Sequence, residues 1–432
     1  MPDRPNILLI LADQLYSGAL SAVGNPWVST PHLDSLALGG ARFCRAYCTA
    51  PVCGPARASL LTGRMPHALG VDYNHDPLSP AVPDLGHLIR RAGYDTAYVG
   101  KWGLKTQPGS PGFDFPPLPA GTRLRLGLES DDAIADTAAA YIREPRERPF
   151  LLAVGLTNPH DICYWVMNED LGIPTEGALP PLPPNFGILA DEPEFVQRCR
   201  ARLHYGQEVS YTLKWDEARW RRYLYTYYRL VERVDASIGR ILDALREAGH
   251  EEDTLVVLTS DHGEGVAAHH WVVKLVFYEE PAVIPLLLRW PRVIPAGWTD
   301  SQRLVSGLDL LPTLCAVAGA TPPEGIEGRS LLSLLSSSDQ TIHDYVISEL
   351  QPDPEHRDLG GRMLVTPRCK YCAFSEGARP ELLFDLAADP GETHNLATDP
   401  DHATALLEHR RLLREWMSAH GDPLALPTLQ QG

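Results

Sequence analysis

The stretch Ile7-Leu-Leu-Ile-Leu-Ala12, followed directly by Asp13-Gln14, says more about the fold than any other part of this 432-residue chain. An apolar run that ends in polar residues is typical of a strand buried on both faces of a sheet. The run is too short for a transmembrane helix, and a signal peptide would have a longer apolar region before a small-residue cleavage site. It therefore predicts a central strand in a cytoplasmic protein without a membrane segment.

Further apolar runs of the same kind follow along the chain, and helical patterns separate them. The runs are Thr96–Val99, Phe150–Gly155, Thr254–Thr259 and Ile284–Arg289. Apolar residues recur with helical spacing over Asp132–Ile142 and from about Glu217 to Ala248. This alternation predicts an α/β domain with a large, mostly parallel central sheet flanked by helices. Ligands of such sheets bind beyond the carboxyl ends of the strands, where Asp13-Gln14 and Asp261-His262 lie.

The pattern changes after about residue 338, where short strand-like segments replace the long helices. The predicted strands are Tyr345–Leu350, Arg362–Thr366, Cys369–Ser375 and Glu381–Asp385, and Ala403–His420 is predicted as a closing helix. We therefore predict a large α/β domain over residues 1–338 and a smaller C-terminal α+β subdomain over residues 339–432. Cys369-Lys-Tyr-Cys372 has metal or redox spacing, but no second such pair accompanies it, so we interpret both thiols as ordinary strand residues.

The overall charge limits the partners of the protein. The chain has 55 acidic residues against 38 lysine and arginine residues, which gives a formal net charge of −17. Proteins that bind nucleic acids usually carry a basic patch that neutralises phosphates. We therefore expect neither nucleic acid nor a membrane as a partner, although a locally basic pocket can still attract a small anion.

The most informative motif for function is Cys53-Gly-Pro-Ala-Arg57, which is followed by Leu61-Thr-Gly-Arg64. Together they resemble the signature of the type I sulfatases, the formylglycine-dependent members of the alkaline phosphatase superfamily. Further segments resemble that family in the same order along the chain: Pro5–Gln14, Thr30–Asp34, Val99–Trp102, Ser260–Glu264, Tyr278–Glu280, Asp309–Thr313, Leu383–Leu386 and Asp389–Glu392. The resemblance covers nearly the whole chain. It implies an alkaline phosphatase-like fold in which residues 1–338 form the catalytic domain.

The resemblance also implies hydrolysis of sulfate monoesters, with a sulfated carbohydrate as the expected substrate. In this family a formylglycine-generating enzyme, the partner expected during maturation, oxidises the motif cysteine, here Cys53, to an aldehyde that hydrates. One hydroxyl of the hydrate attacks sulfur, and the other expels sulfate as the aldehyde is regenerated. The family further implies one divalent metal, held here by Asp13, Gln14, Asp261, His262 and an oxygen on residue 53. Oxygen-rich ligand sets favour Ca²⁺, our first choice, while the histidine also admits Mn²⁺ or Zn²⁺.

Positively charged and histidine side chains at family positions are expected to surround the sulfate. The resemblance implies that Arg57, Lys101 and Lys274 stabilise charge on the sulfuryl oxygens and the leaving oxygen. It implies for His269 either assistance to hemiacetal breakdown or a contact with sulfate. His160, in Asn158-Pro-His-Asp161 after a predicted strand, is predicted to face the same pocket.

The chain departs from the family pattern at two positions. Many relatives have Lys-Trp-His where this chain has Lys101-Trp-Gly103, which leaves Lys101, Lys105 and His269 as alternative proton acceptors. Gln14 stands in place of a commoner aspartate, and its combination with His262 also occurs in phosphonate and phosphate ester hydrolases. Such a hydrolase is therefore the alternative function, and a non-catalytic binder of sulfated glycans is a third.

Overall fold

The structure is a computed structural model that describes residues 4–105, 112–201, 208–336 and 340–430. In chain order its strands are β1 Asn6–Asp13, β2 Ala41–Phe43, β3 Ala46–Tyr47, β4 Asp95–Gly100, β5 Phe150–Pro159, β6 Thr254–Ser260, β7 Leu286–Arg289, β8 Trp298–Asp300, β9 Val305–Ser306, β10 Val346–Leu350, β11 Gly361–Val365, β12 Cys369–Phe374 and β13 Glu381–Asp385. Its helices are α1 Pro31–Leu38, α2 Cys53–Thr62, α3 Pro66–Leu69, α4 Leu85–Arg91, α5 Gly127–Arg143, α6 Ile162–Val166, α7 Glu194–Arg200, α8 Glu217–Glu247, α9 Glu279–Ala282, α10 Leu310–Ala318, α11 Leu332–Ser336, α12 Ala403–His420 and α13 Pro427–Gln430. Within these described residues no helix is both long enough and apolar enough to cross a bilayer.

Seven strands form the central sheet in the order β4-β5-β1-β6-β7-β2-β8. Strands β4, β5, β1 and β6 are parallel, whereas β7 is antiparallel to both of its neighbours. Alternate side chains of β1 lie on opposite faces of the sheet and belong to two different hydrophobic cores. Leu8 and Ile10 pack in the core that includes residues of α5 and α8. Ile7 and Leu9 pack in the core that includes residues of α4 and α10. The predicted mostly parallel sheet with helices on both faces is therefore confirmed.

The order of the parallel strands determines where the polar residues meet. Strands β1 and β6 are adjacent and in register, with Ala12 opposite Ser260. Because both strands end at the same edge of the sheet, the pairs Asp13-Gln14 and Asp261-His262 emerge side by side.

A second sheet lies in the C-terminal part of the chain, where β10, β11, β12 and β13 form an antiparallel meander. One face shares a core with residues such as Tyr47 and Phe277 of the larger part, and the other packs against α12 through Leu413 and Trp416. The predicted small sheet and closing helix are thus confirmed, and Cys369 and Cys372 lie on β12 as expected. The predicted boundary at residue 338 lies outside the described residues.

His67, at the start of the short helix α3, connects the larger part to this second sheet. Its Nδ1 lies 2.5 Å from Glu349 Oε1 on β10, and its main-chain N–H donates to Glu349 Oε2 at 3.0 Å. Burial by itself lowers the pKa of His67, but the hydrogen bond to Glu349 and the charge of that carboxylate outweigh burial and raise the pKa to about 9.

We expect this pair to make the stability of the fold depend on pH. The pKa of His67 in the folded chain, about 9, exceeds its unfolded value of about 6.5. The stabilisation is therefore fully present below a pH of about 6.5 and is lost as the pH rises through about 9. Unfolding measurements across this window should show a loss of about 1 kcal/mol in the wild type, since solvent screens part of the effect. His67→Gln should lack this component, and an equal loss in both proteins would contradict the assignment.

Candidate active site

Cys53 begins helix α2, and its thiol is buried beside the carboxyl ends of β1 and β6. Its Sγ lies 3.2 Å from His262 Nε2, 3.7 Å from Asp13 Oδ1 and 2.9 Å from Lys274 Nζ. Burial and then the charge of Asp13 raise the pKa of Cys53 to about 11, so the unmodified thiol is neutral at pH 7. The structure thus brings together predicted site residues that lie as far as 221 positions from Cys53 in the sequence.

Arg57, one helical turn after Cys53, connects the two carboxylates of the site. Its Nη2 donates to Asp13 Oδ2 at 3.0 Å and its Nε donates to Asp261 Oδ2 at 2.8 Å, with all three side chains fully buried. Lys101 Nζ lies 2.7 Å from the same Asp13 oxygen. Although burial opposes ionisation, Lys101, His160 and Arg57 hold the pKa of Asp13 well below its usual value. Asp13 Oδ1 therefore faces Cys53, whereas Asp261 Oδ1 accepts hydrogen bonds from the main-chain N–H groups of Gln14 and His262 at 3.1 and 3.0 Å.

The donor atoms that face inward fit a divalent cation. Asp13, Cys53, Asp261 and His262 each place one donor atom within 4.8 Å of the others. Asp261 Oδ1 lies 3.7 Å from His262 Nε2, a separation expected for two ligands that are each about 2.0–2.6 Å from one ion. His262 Nδ1 lies 2.8 Å from the carbonyl oxygen of Gly263. Donation from Nδ1 leaves Nε2 as the ligand atom, and burial lowers the pKa of His262 and keeps the ring neutral.

Gln14 lies beside this group in a left-handed backbone conformation with φ 69°, which is uncommon for a residue other than glycine. Its Oε1 accepts a hydrogen bond from Lys274 Nζ at 2.8 Å, and its Nε2 donates to Glu264. Glu264 also accepts from the Tyr223 hydroxyl and, at 2.6 Å, from the Val273 main chain. Glu264 thereby fixes which end of the Gln14 amide faces Lys274. This positioning role is not predicted from the sequence, where its only signal is the place of Glu264 two residues after His262.

A cavity of about 310 Å³ opens above Cys53. Its lining residues are Cys53, Asn74, His75, Lys101, Gly103, Leu104, Leu124, Arg125, His160 and Tyr164. Among these described lining residues none is a carboxylate, and the charged ones are cationic. In a chain with a net charge of −17, a cavity lined in this way favours an anionic ligand. His160 lines the same cavity as Cys53, as its position after β5 predicts.

Residues 5–320 match the model of the sulfatase family, and residues 267–418 match the model described as the C-terminal part of N-sulphoglucosamine sulphohydrolase. The chain belongs to the sulfatase family. This sulfatase is 33% identical to delta 4,5-hexuronate-2-O-sulfatase of Bacteroides thetaiotaomicron, over 97% of this chain and 90% of that protein.

Solved structures agree with this assignment. A 2-O GAG sulfatase superimposes on this sulfatase with a TM-score of 0.86 and 30% identity, over 97% of this chain and 93% of that chain. A phosphonate monoester hydrolase of Agrobacterium radiobacter superimposes with a TM-score of 0.79 and 26% identity, over 96% of each chain. The predicted alkaline phosphatase-like fold, type I sulfatase membership and sulfuric ester hydrolase activity are therefore confirmed. Membership also implies a divalent metal and a formylglycine in general terms.

His269 is the one predicted catalytic residue that neither lines the cavity nor has a hydrogen bond or ion pair, among the described residues, to Cys53, Asp13 or Asp261. Its ring stacks on Tyr278 with 3.8 Å between ring centres, and its donor atoms group with those of Glu280 and Glu392. Among the described residues no hydrogen bond or ion pair joins it to Cys53. A direct role for His269 in this sulfatase stays a prediction, whereas its contacts indicate that it anchors the loop that carries Lys274.

Gly103 occupies the position where many relatives carry histidine, and its surroundings explain why a side chain does not fit there. Its φ is 75°, and an added Cβ would lie 2.5 Å from Arg57 Cδ. Arg57 cannot move away at low cost because two buried carboxylates hold its guanidinium. Glycine at this position therefore keeps the bridge between Asp13 and Asp261 intact.

We expect Gly103→Ala to destabilise the fold by about 1–3 kcal/mol and to lower kcat by about tenfold or more. The loss of activity should follow from displacement of Arg57 from Asp13 and Asp261. Gly121→Ala is the matched control, because Gly121 has φ 89° but nothing within 4 Å of an added Cβ. Melting curves and kcat of both variants test the prediction. If both variants lose equal stability and equal kcat, the loss comes from the positive φ alone and not from a contact with Arg57.

Proposed function

We propose that this sulfatase hydrolyses sulfate monoesters of carbohydrates with a formylglycine nucleophile made from Cys53 and one divalent metal held by Asp13, Gln14, Asp261 and His262. The observation that carries the proposal is the position of Cys53. Its Sγ contacts both His262 Nε2, an atom that can bind a metal ion, and the buried ammonium group of Lys274. The cavity above it has no acidic residue among its described lining residues. The relatives named as hexuronate and GAG sulfatases support a carbohydrate as the substrate.

The divalent metal and the formylglycine, both acquired after synthesis of the chain, would supply the nucleophile and its activation. A bound divalent ion acidifies a hydroxyl and polarises a sulfuryl oxygen, and formylglycine provides a nucleophile that is regenerated in each cycle. Ca²⁺ is our first choice for the ion, with Mn²⁺ or Zn²⁺ as alternatives, because two carboxylates and an amide oxygen accompany one imidazole.

The residues of the chain itself bind the sulfate and stabilise the charge that grows on it. Lys101 is 19% exposed and lines the cavity, while Lys274 is fully buried and its Nζ lies 2.9 Å from Cys53 Sγ. Existing hydrogen bonds and ion pairs hold both ammonium groups, so they would stabilise the sulfuryl oxygens without reorganisation. His160 lines the cavity next to them, and we assign it proton donation to the leaving oxygen.

A phosphonate or phosphate ester hydrolase is the second candidate. It is favoured by the combination of Gln14 with His262 and by the similarity to a phosphonate monoester hydrolase. A sulfate monoester carries one negative charge, whereas a phosphate monoester carries two and would need more positive charge around it. Of the three cations at the site, Arg57 and Lys101 are already partly neutralised by Asp13 and Asp261, and Lys274 contacts Gln14 and Cys53. This balance favours the sulfate ester over a phosphate monoester, whereas a phosphonate monoester also carries one charge and is distinguished by its turnover.

The matured enzyme, with formylglycine at position 53 verified by mass spectrometry, tests the proposal against a panel of sulfated sugars, aryl sulfates and aryl phosphonates. We expect the highest kcat/KM for a sulfated sugar. The highest kcat/KM for a phosphonate would support the second candidate, and binding without turnover of any ester would favour a glycan binder. Removal of metal by a chelator should abolish turnover, and readdition of Ca²⁺, Mn²⁺ or Zn²⁺ singly should identify the ion.

A further inference from the structure

Arg125 lines the cavity above Cys53 but does not belong to the group of residues around the sulfur atom. Its Cζ lies 4.3 Å from the centre of the Tyr164 ring, and its Nη2 donates to Glu169 Oε1 at 2.6 Å. The side chain is 56% exposed, so it is accessible to a ligand that enters the cavity.

The guanidinium of Arg125 keeps hydrogen-bond donors for such a ligand. An arginine has five N–H donors in a rigid plane, and Glu169 is the acceptor found for Arg125 among the described residues. The remaining donors include the edge that binds a carboxylate through two parallel hydrogen bonds. Stacking on Tyr164 fixes the plane of the group, because a cation over an aromatic face is attracted to the ring.

The sulfate group alone does not account for this arginine. Lys101 and Lys274 already lie next to Asp13 and Cys53, where the proposed function places the sulfate. The rest of the lining includes Leu104, Leu124 and Tyr164, which present apolar and aromatic surface of the kind that packs against the C–H groups of a sugar ring. A ligand with a sulfate at one end and a second anionic group near Arg125 would satisfy both sets of cations.

We propose that Arg125 is a specificity-determining residue that binds the carboxylate of an acidic sugar, so that the preferred substrate is a sulfated sugar acid. The inference rests on the proposed function, since it assumes that the sulfate lies over Cys53. The cavity of about 310 Å³ is at the lower end of the range for small-molecule sites, which suits a single sugar ring that contacts Arg125 and Lys101 together.

Two sulfated sugars that differ in one group test the inference. Both carry sulfate on the same hydroxyl, but one has a carboxylate where the other has a hydroxymethyl group. The readout is the ratio of their kcat/KM values, measured for the matured wild type, Arg125→Gln, Arg125→Lys and Arg143→Gln. Arg143 is the matched control, because it forms a similar exposed pair with Glu247 at 2.7 Å but does not line the cavity.

We expect the wild type to prefer the carboxylate substrate by about tenfold or more, and Arg125→Gln to reduce that ratio by about tenfold, equivalent to about 1.4 kcal/mol. Arg125→Lys should retain part of the preference, since it keeps the charge but not the planar donor pair. Arg143→Gln should keep the wild-type ratio. Because both substrates are measured on one sample, partial unfolding of a variant cancels from the ratio.

Two outcomes separate this inference from the proposed function. A wild-type ratio near one, or a ratio unchanged in Arg125→Gln, would overturn the inference and leave the sulfatase activity in place. If the matured wild type turns over neither sulfated sugar, the proposed function itself fails.

Discussion

Cys53→Ala is expected to lower the turnover of the matured enzyme by at least about 10⁴-fold, because it removes the nucleophile. The fold should persist, since alanine suits the first turn of helix α2 and removes only a sulfur atom from the site. Lys274 would keep its hydrogen bond to Gln14 at 2.8 Å. The measurements are kcat on the best substrate of the panel and the melting temperature of the variant.

Cys315→Ala is the control for loss of a buried thiol outside the site, because Cys315 is fully buried in helix α10. It should lower the melting temperature slightly and leave kcat near the wild-type value. Cys53→Ser retains a hydroxyl that can attack sulfur but cannot expel sulfate, so it should release one equivalent of sugar and then stop. Near wild-type turnover by a folded Cys53→Ala variant would refute the covalent mechanism.

The sequence predicted the parts of the fold whose signals are long or periodic. Strands β1, β5 and β6 are buried on both faces and therefore read as continuous apolar runs, and α8 has an extended helical period. The short strands β2 and β8 were not predicted, because three residues carry too little pattern and their pairing depends on tertiary neighbours. The run that forms β7 was predicted, but not its antiparallel direction, because an apolar run contains no information about strand direction.

The site was predictable where residues follow parallel strands, because topology alone then places them at one edge. Asp13 and Asp261 are of this kind. Contacts between distant segments, such as the hydrogen bond of Gln14 with Glu264 or the close approach of Arg57 to Gly103, have no such signal. His269 shows a further limit, because it is close to Lys274 in sequence but has different contacts. Lys274 contacts Cys53 and Gln14, whereas His269 stacks on Tyr278. The intervening loop contains non-glycine residues at positive φ, His270 and Val273, and such turns cannot be predicted from residue type.

Lys101→Ala and Lys274→Ala are each expected to lower kcat by about a hundredfold or more, equivalent to about 3 kcal/mol. Lys274 Nζ lies 2.9 Å from Cys53 Sγ, and Lys101 Nζ lies 2.7 Å from Asp13 Oδ2, so both ammonium groups are fixed next to the reacting position. Charge on the sulfuryl oxygens grows in the transition state. Loss of either cation should therefore reduce kcat more than it raises KM.

The pKa of Lys101 decides between two roles for this residue. Burial by itself lowers that pKa, but the charge of Asp13 opposes burial, and the pKa lies above the ordinary lysine value. Lys101 therefore stays protonated at neutral pH and acts as a fixed positive charge rather than as the proton acceptor that would replace the histidine missing at Gly103. Lys105→Ala is the control, since this exposed lysine should contribute about 1 kcal/mol or less. Normal kcat with a slightly raised KM in Lys101→Ala would contradict the electrostatic role of Lys101. A larger loss of kcat in Lys105→Ala than in Lys101→Ala would assign that role to Lys105 instead.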